Sequence, residues 1–183
     1  MTSVLPDQRS GFTIDDLADF PSDGNRYELI EGSLHVTPAP IWNHQRIVVN
    51  FVRTLAAACP PDREVLVAPF DVVLGPDTMV EPDVLVTLPA PGETKRLEGP
   101  PLLVVEVLSP TTRLYDLGTK MMAYQEAGVP AHWAFDPLVP SLTERRWDGD
   151  DEAVRTIEGD DEGSFDWPFP VTVVPARLLL PNG

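Results

Sequence analysis

The sequence predicts an α/β domain of the α+β kind, a central mixed sheet flanked by two helices, with an N-terminal hairpin and a C-terminal β meander. Three observations carry the prediction. Runs rich in β-branched residues around 79–87 and 102–108 have the length and composition of buried strands. Two segments, 44–55 and 109–127, carry a helical apolar stripe or helix start and stop signals. They come in the order helix, three strands, helix, strand, with a hairpin before them.

The elements follow in order. Thr13 is placed to cap a short helix through Asp16 and Leu17 in capping-box spacing, and Pro21-Ser22-Asp23-Gly24 breaks it. Tyr27–Ile30 and Leu34–Thr37 alternate around Glu31-Gly32-Ser33 as a hairpin, ended by Pro38-Ala39-Pro40. His44, Ile47, Val48, Phe51 and Leu55 recur at three-and-four spacing, so a helix runs to about Cys59-Pro60-Pro61. Three strands are expected over Glu64–Leu74, Met79–Thr87 and Leu102–Leu108. The last is almost wholly apolar and reads as a central strand covered on both faces. Ser109-Pro110-Thr111-Thr112 opens a second helix reaching about Ala127, stopped by Gly128. A further apolar strand, Ala131–Phe135, precedes Asp136-Pro137. The meander is expected over Ser141–Trp147, Ala153–Glu158 and Val171–Val174.

Composition bounds the function. With 183 residues, 43% of them hydrophobic, the chain reads as a single domain, 1–183, its core at about 24–138 and its peripheral strands at about 139–183. A lone Cys59 forms no internal disulfide, Met1 to Gly11 holds no apolar run of signal-peptide length, and no stretch is long enough to span a bilayer. A cytoplasmic protein without a membrane partner is expected. The net charge of -16 argues against general affinity for polyanions, because phosphate contacts come from clustered Lys and Arg. That acidity is uneven. Nine acids against one Arg155 lie between Asp148 and Asp166, whereas Gly24 to Leu138 holds fourteen against eight Lys and Arg. The acidic stretch reads as solvated turns, which could also attract a basic protein partner. No Walker-type loop, zinc spacing, Gly-x-Ser-x-Gly elbow or dinucleotide fingerprint is present.

The chemical signal is two acids inside strand-like apolar runs, Asp83 in Val80-Glu81-Pro82-Asp83-Val84-Leu85-Val86 and Glu106 in Leu102-Leu103-Val104-Val105-Glu106-Val107-Leu108. An acid in such a run is costly to bury unless it is paired or binds a cation. A divalent metal held by Asp83 and Glu106, as in a metal-dependent nuclease, supplies the reason, and magnesium fits hard oxygen ligands best. Each residue also has a structural reading. Asp83 after Pro82 can mark a strand start, and Glu106 can be the buried half of an ion pair with Lys120 or Arg113.

The chain resembles the Uma-type restriction endonuclease family, a bacterial branch of the PD-(D/E)XK nuclease superfamily. The resemblance runs from about Phe12 to Leu180. Its carriers are Arg26-Tyr27-Glu28-Leu29-Ile30-Glu31-Gly32, His44-Gln45, Ala68-Pro69-Phe70-Asp71-Val72, Glu81-Pro82-Asp83, Val105-Glu106-Val107-Leu108-Ser109-Pro110, Asp116-Leu117-Gly118-Thr119-Lys120 and Tyr124 through Pro130. It implies a restriction-endonuclease-like core and a magnesium- or manganese-dependent endodeoxyribonuclease that cuts DNA with a metal-activated water. A homodimer is expected, since one small domain aligns one strand's phosphate at a time.

The superfamily pattern places a Lys two residues after the second acid, where this chain has Leu108. Lys120, three residues after Leu117 and four before Tyr124, takes the catalytic lysine's role, a migration that the resemblance also implies. The same resemblance makes Glu28 a third acid near the metal. His44 can bind phosphate or carry a proton, though its place on an apolar stripe also suits a core histidine. Asp71 either joins the metal site or hydrogen-bonds a neighbouring strand or Arg46, and Tyr124 packs against the sheet. Arg26, Arg46, Arg53, Lys95, Arg96 and Arg113 are candidate DNA contacts. The alternatives are a nuclease-fold binding or regulatory module with weakened catalysis, favoured by Leu108 and the net charge, and an acidic interaction protein.

Overall fold

Two prolines divide what the sequence presents as long strands, and two sheets result where one was expected. Proline offers no N–H to a strand ladder, so Pro69 and Pro82 each fall at a break in pairing. The computed structural model of the chain describes residues 11–149 and 151–181.

A short 3-10 helix, Asp15–Asp19, opens the fold, and the Thr13 N–H and hydroxyl both donate to Asp16 Oδ2 at 2.8 Å, the carboxylate half of the expected capping box. Strands β1 (Arg26–Ile30) and β2 (Ser33–Thr37) form the hairpin. Its turn has positive φ at both Glu31 and Gly32, the mirror-image geometry that matches strand twist in a two-residue loop. Helix α1 (Trp42–Ala58) follows, stopped before Pro60.

The expected 64–74 strand is β3 (Glu64–Val67) and β4 (Asp71–Gly75), and the expected 79–87 strand is β5 (Thr78–Val80) and β6 (Val84–Thr87). Strand β7 (Arg96–Glu98) was not foreseen: three residues are too few to show alternation. The apolar run expected as a central strand is β8 (Leu103–Val107), buried at all five positions. The second helical segment is interrupted. It comprises α2 (Arg113–Tyr115), a π-helical turn at Asp116–Lys120 and α3 (Met121–Glu126), with Gly128 in the left-handed conformation at its end. Strands β9 (Ala131–Asp136), β10 (Ser141–Asp148), β11 (Asp151–Glu158), β12 (Gly163–Phe165) and β13 (Val171–Val173) and a 3-10 helix at Pro175–Leu179 complete the described chain.

The two large sheets have the orders β2-β1-β5-β4-β7 and β11-β10-β9-β8-β6-β3, and β12 pairs with β13 in a small two-stranded sheet. Both large sheets are mixed, with β4 parallel to β7 and β8 parallel to β9. The expected C-terminal meander is therefore only partly peripheral, because β10 and β11 extend the central sheet through β9. The acidic stretch is solvated as expected: each of its acids among the described residues is exposed.

Alternation along the strands sorts the core into two layers. On one face of the six-stranded sheet, Ile47, Phe51 and Leu55 of α1 pack on Val84, Val105, Val107, Trp133 and Phe135. On the other, Leu85 and Val104 meet Ala123, Tyr124 and Val129 together with Ile30, Val72 and Val80 of the five-stranded sheet. Glu106 has the parity of Val104, so it belongs to the second layer, beneath the second helical segment. Among the described residues no helix is long and apolar enough to cross a membrane.

Candidate active site

Asp83 sits at the proline break between β5 and β6, one residue ahead of the β6 ladder. Since Val84 pairs with Val105, the break lies beside Glu106 on β8, and the Val107 N–H donates to Asp83 Oδ2 at 2.8 Å. The other carboxylate oxygen, Oδ1, accepts from His44 Nε2 at 3.1 Å and from both terminal nitrogens of Arg26 at 3.2 Å. Burial pushes the Asp83 carboxyl up, but the His44 hydrogen bond and the His44, Arg26 and Lys120 charges overcome it and hold the group at about 2.

Lys120, at the end of the π-helical turn, is 1% exposed. Its ammonium lies 2.7 Å from Glu28 Oε1, 2.9 Å from Glu106 Oε1 and 3.3 Å from the Glu81 carbonyl oxygen. Burial alone would lower its pKa; the Glu106 and Glu28 carboxylates reverse the effect and keep it charged. The Glu106 carboxyl is pushed upward by burial, with the Asp83 and Asp116 charges adding to it, against the pull of Lys120. The Tyr124 hydroxyl donates to Glu106 Oε1 at 2.7 Å, so this ring packs as expected and also fixes the acid. Glu28 Oε1 accepts the Glu81 N–H at 2.7 Å, which ties the hairpin to the proline break.

These groups form the floor of a cleft of about 690 Å³ lined by Arg26, Glu28, His44, Asp83, Glu106 and Lys120, with Leu108 and the Pro38–Ile41 segment on its walls. The structure thus brings Asp83, Glu106, Lys120, Glu28 and His44 together. It does not bring Asp71, which starts β4 opposite Arg96 and lines a separate cleft beyond Arg26 and Glu81. Arg46 donates to the Leu179 carbonyl at the edge of the first cleft rather than to Asp71, and Arg113 is paired with Asp136 rather than Glu106. Arg53, Lys95 and Arg96 are exposed, and none lines the cleft.

The sequence assigns no role to two participants, although both lie in motifs that carry the resemblance. Glu81 pairs with the Arg26 guanidinium and presents its carbonyl to Lys120. Asp116 is buried one turn before Lys120, with its carboxyl shifted upward by burial. Its place four residues before a buried Lys was the available signal.

Among the described residues no group of three or more His, Cys, Asp and Glu side chains is disposed to hold a metal ion. A closed zinc-type site is therefore not built here. Magnesium needs only one or two carboxylates, with water and substrate oxygens filling its shell, so the hard oxygens of Asp83 and Glu106 fit such an ion.

Comparison with known proteins gives the family and the fold. Residues 14–168 match a family model, Uma2, described as "Putative restriction endonuclease". A solved structure of a "putative nuclease belonging to DUF820" from Anabaena variabilis superposes with a TM-score of 0.75. The match covers 92% of this chain and 99% of that one at 19% identity, so the two share the fold. No curated protein matches the chain.

Proposed function

This chain belongs to the Uma2 restriction-endonuclease family, and from that premise we propose that it is a metal-dependent endonuclease hydrolysing DNA phosphodiester bonds in the Asp83–Glu106–Lys120 cleft. The observation that most supports the reading is the buried Lys120 ammonium held between Glu106 and Glu28. A lysine placed there takes the part that Leu108 cannot play.

Asp83 and Glu106 would hold magnesium or manganese, and the bound ion would supply Lewis acidity toward the phosphodiester and lower the pKa of the attacking water. The chain's own residues do the rest. Lys120, which stays charged, faces the place where negative charge grows as the water oxygen bonds to phosphorus and the ester P–O bond breaks. Glu28 and Tyr124 hold Lys120 and Glu106 in register, so the geometry is set before substrate arrives. His44 is positioned by Asp83 and lines the cleft, where it can pass a proton to the departing oxygen, while the proton released by the attacking water leaves to solvent. The protein acts in the cytoplasm and pairs with a second copy to cut both strands.

A second reading, a nuclease-fold binding module with weakened catalysis, is favoured by one observation: both oxygens of Asp83 already accept hydrogen bonds from the protein. A cleavage assay separates the two. Supercoiled plasmid and single-stranded DNA are incubated with magnesium or manganese and with wild type, Asp83→Ala, Glu106→Ala or Lys120→Ala. Metal-dependent nicking lost in all three variants is expected. Wild type that cuts nothing, or variants that cut equally well, would leave the binding module as the reading.

A further inference from the structure

We infer that Arg26 is the phosphate-binding residue of this cleft and that it reaches the substrate by giving up Asp83 to the metal ion. The inference rests on the metal-dependent nuclease reading and adds to it a residue for the scissile phosphodiester.

The geometry behind it is specific. Both terminal nitrogens of Arg26 converge on one oxygen of Asp83, Oδ1, each at 3.2 Å. The remaining contacts of the guanidinium are with Glu81: one terminal nitrogen also donates to its carbonyl oxygen at 3.0 Å, and Nε pairs with its carboxylate. Arg26 therefore has two anchors, and only one of them is a proposed metal ligand. Asp83 Oδ2 accepts from the Val107 N–H, so the oxygen left for a metal ion is Oδ1, which carries Arg26 and also His44 Nε2 at 3.1 Å.

A divalent cation and a guanidinium cannot share that oxygen without strong repulsion at contact distance. Loading the site frees the Asp83-facing edge of Arg26, while Glu81 continues to tether the side chain. A freed planar fork a few ångströms from the metal site matches the geometry of a phosphodiester's two unesterified oxygens. Arg26 also lines both clefts, so its guanidinium is open to a group entering either one. Of the other basic residues lining the first cleft, Lys120 lies on Glu28 and Glu106, Arg46 holds the Leu179 carbonyl, and His44, which shares Asp83 Oδ1 with Arg26, offers a single donor rather than a fork. In a chain of net charge -16, a cation released only by metal loading would make phosphate binding conditional on the metal.

The test measures metal binding apart from turnover. Manganese binding to the full chain without DNA is followed by calorimetry or electron paramagnetic resonance, for wild type, Arg26→Gln, Arg26→Lys and Asp83→Asn. DNA affinity is then measured by fluorescence anisotropy with calcium as a non-turnover ion. Removing the competing cation should tighten manganese binding about tenfold in Arg26→Gln while weakening calcium-dependent DNA binding at least tenfold. Arg26→Lys, which keeps the charge without the fork, should fall between on both. A merely structural Arg26 would lose both affinities together, and unchanged or weaker manganese binding in Arg26→Gln overturns the exchange. Thermal melts of each variant establish that the protein measured is folded, and Arg26→Lys decides the matter if Arg26→Gln does not fold. Wild type that binds manganese and loses it in Asp83→Asn keeps the metal reading whatever Arg26 does. Wild type that binds none overturns both.

Discussion

Lys120 reaches Glu106 at 2.9 Å from the last residue of a π-helical turn, so a helix brings to the central strand a cation that Leu108, just past the strand's end, does not supply. The same ammonium is 2.7 Å from Glu28 on the hairpin, so one buried charge joins both sheets and the helical segment. Deleting it leaves two buried acids facing each other. Lys120→Met should cost about 3–5 kcal/mol, the penalty for uncompensated buried charge, and lower Tm by roughly 10 °C. Adding Glu106→Gln removes one of the stranded charges and should restore much of the stability but none of the DNA cleavage. A double variant that regains cleavage would remove Lys120 from the chemistry.

Gly118 lies inside the π-helical turn, outside the left-handed φ region, and a Cβ built there meets nothing within 4 Å. Neither backbone strain nor packing requires glycine. Gly118→Ala should therefore gain about 0.5–1 kcal/mol by restricting the unfolded chain, seen as a small rise in the urea midpoint with cleavage unchanged. Loss of cleavage with stability intact would instead show that substrate backbone comes within a methyl group's reach of that Cα.

The site was legible where burial and charge conflict within a few residues of sequence. Asp83 and Glu106 stand out because apolar runs surround them, and Lys120 because its spacing to Tyr124 places it at the edge of a helical stripe. Arg26 was visible only as a cation, since its partner Asp83 is 57 residues away and the pairing depends on how the hairpin meets the proline break. The fold divides in the same way. The central strand β8 and the hairpin turn at Glu31-Gly32 follow from local pattern. The split into two sheets does not, because Pro69 and Pro82 interrupt runs whose apolar character continues on both sides. Local composition reads such a run as one strand; which ladder each half joins is decided by tertiary pairing.

Asn50, buried on α1, donates from Nδ2 to the carbonyls of Leu178 and Leu180, both at 2.9 Å. Those carbonyls lie at the C-terminal end of the Pro175–Leu179 helix, where intrahelical donors run out. Asn50→Leu should cost about 2 kcal/mol by stranding them. Hydrogen exchange should show the 175–179 segment losing protection first, while the β8 amides keep theirs until global unfolding. Equal loss in both places would mean that Asn50 supports the whole core rather than the C-terminal clamp.

Buried His132 should make the fold sensitive to acid. It lies on β9 opposite Val104 and is 0% exposed, with neither ring nitrogen hydrogen-bonded. Its ring sits 5.8 Å from that of Tyr124. Burial first, and then the Arg145 and Lys120 charges, pull its pKa down from 6.5 to about 3. The folded state thus keeps His132 neutral where the unfolded chain binds a proton, so the unfolded form gains protons between these two values. The contribution is complete above about pH 6.5 and is lost progressively as pH falls toward 3, at roughly 1.4 kcal/mol per pH unit for this one group. His132→Leu keeps the apolar packing and removes the titration. Urea midpoints measured from pH 7.5 to 4.5 should fall less steeply in His132→Leu than in wild type, with the two curves furthest apart at the acid end. Parallel curves would place the acid sensitivity in the carboxylates instead, and the buried imidazole would then be a packing element only.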